Sequence, residues 1–261
     1  MKLVLACGQF AAEPGGVEAN LAKVRSLSRE AAAAGAAIVV FPELCVTGYL
    51  GAGEIEPLAA RVDGPQIAHA AETARSAGTA VCLGFAERAV DGRLYNSMAF
   101  LDTAGVVRAV SRKAHLFGAE PRWAACAGSV AAFDAGGLRC GAWVCYDTRF
   151  PELARRLALD GATACFAGSA WLGPADEWEL AIRARAMDNG IYVAGAALQG
   201  EGRGFAFHGA SLIADPHGRV IARCRGTGDE VIVAEYDDAV VAEFRGRVPL
   251  LEHRRADLLG G

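Results

Sequence analysis

The run Gly141-Ala142-Trp143-Val144-Cys145-Tyr146-Asp147-Thr148-Arg149-Phe150-Pro151-Glu152 carries the most structural information in the chain. Its first four residues read as a buried strand. Pro151 suits the first turn of a helix, because it has no N–H to leave unpaired, and Glu152 then sits beside the positive end of the helix dipole. Cys145 falls where the strand turns toward the helix, a place that brings a side chain to the edge of a sheet. Two earlier segments break off in the same way beside a polar residue: Phe41-Pro42-Glu43-Leu44-Cys45 and Arg112-Lys113-Ala114-His115-Leu116-Phe117. Apolar strands that end in this way turn their last side chains into a cleft, so a carboxylate, an ammonium and a thiol are expected to converge.

Around these segments the chain alternates strands and helices. Leu3 to Phe10 reads as a strand, Val17 to Ala34 as a helix closed by Gly35, and Ala37 to Phe41 as a buried strand. A helix from Pro65 to Ala77 and a strand from Ala80 to Ala86 repeat the unit, the pattern of a layered α/β protein. From Leu94 the rhythm changes to paired strands. Three D-x-x-G turns, Asp102 to Gly105, Asp134 to Gly137 and Asp215 to Gly218, mark hairpins, since Asp bonds the following backbone and Gly fits the reversal. After Cys145, a strand from Ala162 to Ala167, a helix from Asp176 to Met187 and a strand from Ile191 to Ala197 make a second alternating half. Gln199 to Gly204 reads as a flexible surface loop, and the tail from about residue 248 as a terminal extension.

With 261 residues, 53% of them hydrophobic, the chain has enough apolar surface for one large α/β domain spanning 1–261. Its formal net charge of -4 and the lack of any Lys/Arg cluster argue against nucleic acid or membrane partners. The start resembles a lipoprotein box at Cys7, but its apolar run of about five residues falls short of a signal h-region. A cytoplasmic protein is expected. The eight cysteines lie mostly in apolar runs and read as buried thiols of a reducing compartment. No C-x-x-C occurs and the five histidines are scattered, so neither a metal nor another cofactor is expected.

The three segments, in this order and spacing, resemble the nitrilase superfamily of carbon-nitrogen hydrolases. Most specific is Cys145-Tyr-Asp-Thr-Arg-Phe-Pro-Glu152, followed by Phe-Pro-Glu at Glu43 and Lys-x-His-Leu-Phe from Lys113. The resemblance implies a four-layer α-β-β-α sandwich, a homodimer or higher homo-oligomer, and a Glu43-Lys113-Cys145 triad. It implies hydrolysis of a small carboxamide to carboxylic acid and ammonia through a thioester on Cys145. The backbone N–H of Tyr146 would join Lys113 in meeting the oxyanion. Cys145-Tyr146-Asp147 is similar to the amidase and carbamoylase branches, so an N-carbamoyl amino acid hydrolase and an ω-amidase stand as alternatives. Outside the family, a redox thiol protein or a non-catalytic α/β scaffold is the competing class.

The residues support these roles in their own right. A free thiol is only slightly ionised at neutral pH and needs a base or cation nearby to attack quickly. Glu43 follows an apolar strand, and partial burial suits a carboxylate to take the thiol proton and return it to a leaving nitrogen. The chain holds 23 Arg but only three Lys, at positions 2, 23 and 113. A compact ammonium at Lys113 reaches a developing oxyanion where a guanidinium is too broad. Family members commonly carry a second glutamate between the Lys and Cys segments. Glu120 is the available one and is expected as an auxiliary residue, although Pro121 occupies the usual place. His115 reads as a hydrogen-bonding packing residue, and Asp147, Arg149 and Glu152 as a buried charge network holding the Cys145 turn. Tyr49 and Trp171 are candidate pocket walls, and Arg149 is a candidate partner for a substrate carboxylate.

Overall fold

The computed structural model describes residues 1–259; the last two residues of the expected tail lie outside this range. Two six-stranded sheets stack face to face with helices on both outer sides. The first sheet is built from β1 (Lys2–Gln9), β2 (Ile38–Val40), β3 (Ala80–Arg88), β4 (Leu94–Leu101) and β5 (Val107–Arg112). The second contains β6 (Phe133–Ala135), β7 (Leu138–Val144), β8 (Ala164–Ser169) and β9 (Tyr192–Ala197). A small hairpin follows, β10 (Gln199–Gly202) with β11 (Phe205–His208). Then β12 (Leu212–Ala214) and β13 (Val220–Arg223) finish the second sheet, and β14 (Glu230–Asp237) returns to pair with β1. The helices are α1 (Val17–Ala33), a single turn α2 (Ala52–Ile55), α3 (Pro65–Ala77), α4 (Pro151–Leu159), α5 (Ala175–Asn189), α6 (Asp238–Arg247) and a last short turn α7 (Ala256–Leu259).

Each sheet repeats one plan. Three parallel strands, β1-β2-β3 or β7-β8-β9, are joined through two helices, and antiparallel strands extend the edge. Because side chains alternate along a strand, Leu5, Cys7, Ile38, Val40, Cys82 and Met98 pack against the opposite sheet. Their neighbours Ala6, Val39, Val81 and Leu83 pack under α1 and α3. Phe100 and Phe166 stack across the sheet interface, with centroids 5.9 Å apart. The helices bury one face each, Leu21, Val24 and Leu27 on α1 and Ile67, Ala70 and Ala74 on α3, at roughly 1.5–3 kcal/mol per large side chain.

The expected elements appear, the helix Pro65–Ala77 with the expected bounds and the others with boundaries moved by at most three residues. Gly35 adopts φ 83°, although the helix itself ends at Ala33. All three D-x-x-G turns close antiparallel pairs, β4/β5, β6/β7 and β12/β13. The Gln199–Gly204 segment differs from expectation: it is the first strand and turn of the β10/β11 hairpin. Its glycine-rich sequence hid a pairing that is fixed from the other side by Phe205 and Phe207, which pack on Tyr49. No helix among the described residues is long and apolar enough to cross a membrane.

Candidate active site

Glu43 and Cys145 both lie just past the C-terminal ends of parallel strands, one in each sheet, where α/β folds open a crevice. Beyond β2 the chain keeps following β3: Phe41 N–H donates to Cys82 O at 2.7 Å and Gly84 N–H to Pro42 O at 3.2 Å. This close approach requires glycine. A Cβ at Gly84 would stand 2.6 Å from Glu43 Cα, and one at Gly168 in β8 would stand 3.0 Å from Glu43 N. The two glycines thus hold the Glu43 backbone between the sheets.

Cys145 opens a 3-10 turn, Cys145–Arg149, with φ 47°, a left-handed conformation that a non-glycine residue adopts at a cost of roughly 1–2 kcal/mol. Two side chains hold the turn. Trp143 Nε1 donates to Thr148 Oγ1 at 2.9 Å, and Asp147 Oδ2 accepts Val144 N–H at 3.2 Å. Asp147 Oδ1 also accepts the backbone N–H of His115 at 2.9 Å and its ring Nδ1 at 2.8 Å. Asp147 thereby ties the cysteine turn to the segment that carries Lys113.

Lys113, Glu43, Glu120 and Asn96 form a buried polar cluster. Lys113 Nζ donates to Glu43 Oε1 at 2.6 Å and to Glu120 Oε1 at 2.8 Å. Asn96 Nδ2 bridges the same two oxygens at 2.7 and 2.8 Å. Glu43 Oε2 accepts Ala170 N–H at 2.7 Å, and Glu120 Oε2 accepts Phe117 N–H at 2.7 Å. A carboxylate has about four acceptor positions and an ammonium three donors. Glu43 therefore keeps one position on Oε2, and Lys113 keeps one N–H for the pocket that both residues line.

Electrostatics follow from this packing. Burial first, and the Glu43 charge second, push the Cys145 thiol well above the ordinary range, while Lys113 and the Ser169 hydroxyl pull it down. The thiol is held neutral beside the Glu43 carboxylate. Ser169 Oγ is buried and has no oxygen or nitrogen partner, which leaves it for the sulfur. Burial opposes the Lys113 charge, but Glu43, Cys145 and Glu120 outweigh it and raise its pKa above the usual lysine range. Burial, then the Glu43 charge, raises the Glu120 carboxyl, against Lys113 and the Phe117 N–H.

The pocket encloses about 480 Å³. Glu43, Lys113 and Cys145 meet in it, and Tyr49, Tyr146, Arg149 and Trp171 line it, so every expected wall residue is present. Glu120 stands behind Lys113, at the start of the short turn Glu120–Arg122. The expected buried charge network is corrected in part. Asp147 is buried, but Arg149 and Glu152 are exposed, because the turn is held by Trp143 and Asp147 without them and α4 directs Glu152 outward. Arg149 lies 4.7 Å above the Trp171 ring and pairs with Glu177. Asn96, Ser169 and Ala170 escaped the sequence reading. Asn96 left one signal, a lone amide within the apolar strand Leu94–Leu101. Among the described residues no cluster of three or more His, Cys, Asp or Glu is arranged to hold a metal ion.

A double-sheet sandwich that brings a neutral thiol, a carboxylate and an ammonium together at its strand ends has the parts of a hydrolase. A family model for carbon-nitrogen hydrolases matches residues 5–246, and the chain belongs to that family, enzymes acting on non-peptide amide bonds. An omega-amidase NIT2 from Danio rerio is 32% identical over 252 residues, covering 92% of this chain and 90% of the relative. A 2-oxoglutaramate amidase from Bacillus subtilis is 31% identical over 261 residues, covering 99% and 100%. Among solved structures, an amidase from Nesterenkonia sp. superposes with a TM-score of 0.87 at 26% identity, covering 98% of this chain and 95% of that one.

Proposed function

We propose that this enzyme hydrolyses the C–N bond of a small carboxamide through a thioester on Cys145. The observation that carries the reading is the convergence of Glu43, Lys113 and Cys145 in one aromatic-walled pocket. Glu43 Oε2 takes the thiol proton as the sulfur attacks the carbonyl carbon, and the C=O electron pair moves to oxygen. The oxyanion is met by the free N–H of Lys113 and the backbone N–H of Tyr146, each such donor worth roughly 3 kcal/mol of barrier. Collapse breaks the C–N bond, and the proton on Glu43 leaves with ammonia. Water then gives its proton to Glu43 and attacks the thioester; the sulfur recovers that proton as the acid departs. Glu120 and Asn96 orient Glu43 and Lys113.

A dicarboxylic monoamide is the second reading of the substrate. Arg149 on the pocket wall favours it, as do the omega-amidase and 2-oxoglutaramate amidase names of two relatives. Glu177 already pairs with Arg149, so a substrate carboxylate has to displace it. The uncharged remainder of the wall suits an aliphatic acyl group.

The test is ammonia release from simple alkanamides, ω-amides, N-carbamoyl amino acids and nitriles, with Cys145→Ala as control. One active class, silent in the control, and an acyl mass on Cys145 after acid quenching are expected. Turnover that survives in Cys145→Ala would overturn the mechanism.

A further inference from the structure

Beside the reacting pocket lies a second, smaller cavity of about 130 Å³, walled largely by apolar side chains such as Leu44, Leu50, Trp123 and Phe205, with Glu120 the one charged residue in its wall. Tyr49, Phe117 and Leu172 line both spaces and so stand between them. Of the three, Tyr49 is braced from behind. Phe205 and Phe207 meet its ring edge-on, with centroids at 5.3 and 5.7 Å. The hairpin that carries them is itself anchored: Arg203 at its turn pairs with Glu54 of α2, and Gln199 N–H donates to Phe10 O at 3.3 Å. Phe117, by contrast, is 39% exposed.

We infer that Tyr49 sets the length of acyl chain the enzyme accepts, by closing the smaller cavity off from the pocket that holds the reacting carbonyl. This rests on the amidase reading. The smaller cavity has room for about four groups the size of a water or methylene, at roughly 30 Å³ each. Its walls offer a longer alkyl chain an apolar surface, and one methylene in such a site changes kcat/KM by about tenfold or more. With Tyr49 in place, the chain meets a supported aromatic ring instead.

The experiment measures kcat/KM for acetamide, butyramide, hexanamide and octanamide. Tyr49→Ala is expected to raise the hexanamide-to-butyramide ratio at least about tenfold over the wild type. Tyr49→Ala/Ala52→Phe, which refills the cavity that Ala52 lines, returns the ratio toward the wild-type value. Tyr49→Val serves if the alanine variant does not fold. Ala52→Phe alone is expected to leave the wild-type ratio unchanged; a fall in that ratio would mean the chain already enters the cavity, and overturns the inference. A folded Tyr49 variant with an unchanged ratio, or with no activity at any length, overturns it too. A wild type inactive on every amide class defeats the amidase reading itself, a separate outcome.

Discussion

One oxygen of the Asp147 carboxylate accepts both the backbone N–H of His115, at 2.9 Å, and its ring Nδ1, at 2.8 Å. The facing carboxylate fixes the ring proton on Nδ1. The imidazole lies flat on Phe150, with centroids 3.6 Å apart and planes 5° apart. A residue two places after the ammonium is thereby locked to a residue two places after the thiol.

Asp147→Asn weakens this lock while preserving shape. Since hydrogen bonds to a charged group contribute roughly 1.5–3 kcal/mol, kcat should fall by about tenfold to a hundredfold, with a smaller change in KM. Steady-state kinetics with circular dichroism as a folding control measures this. Equal losses in kcat and thermal stability at every position of the turn would assign Asp147 to packing alone.

Removing Lys113 leaves Glu43 and Glu120 facing each other in a buried site. Lys113→Met should cost about 3–5 kcal/mol in urea unfolding at neutral pH. The pH dependence has a definite sign. Glu120 has its carboxyl raised in the folded state, so the folded chain binds more protons than the unfolded one between the two pKa values. Stability of the variant should therefore recover as pH falls through the raised folded-state value. Lys113→Arg keeps the charge but not the compact shape, and is expected to lose at least a hundredfold in kcat.

Gly84→Ala tests the threading of the Glu43 backbone. Its Cβ would come 2.4 Å from Pro42 O and 2.6 Å from Leu44 N. Overpacking costs about 1–3 kcal/mol, whereas a displacement of about 1 Å at the base can cost a hundredfold in rate. Activity should thus drop far more than the melting temperature suggests.

The neutral state of Cys145 is open to a direct labelling measurement. Burial and the Glu43 charge raise its pKa, so less thiolate is present at neutral pH than for a free cysteine. Iodoacetamide alkylation, followed peptide by peptide to separate the exposed Cys126, should keep rising above pH 9. A plateau below pH 8 would reveal a preformed thiolate–ammonium pair.

The layered fold and the three segments that converge were legible because each rests on local patterning: apolar runs, Pro151 at a helix start, and Asp and Gly at turns. Asn96 and Ser169 were not, since their importance arises from what two distant strands bring beside them. Arg149 was misplaced for the same reason. Its neighbour in space, Glu177, lies on α5, and no spacing in the chain announces that pairing. The β10/β11 hairpin was hidden by its glycines, because its aromatic residues gain their role only by packing on Tyr49.

Two carboxylates share one ammonium, Glu43 at the pocket wall and Glu120 behind it, so the cluster carries a formal surplus of one negative charge. A neutral amide enters that field without penalty. The acid made from it, once ionised, is an anion in the same position and is repelled by the Glu43 carboxylate beside it. Electrostatics of the resting site therefore give turnover a direction, clearing the product and disfavouring the reverse condensation before any loop has to move.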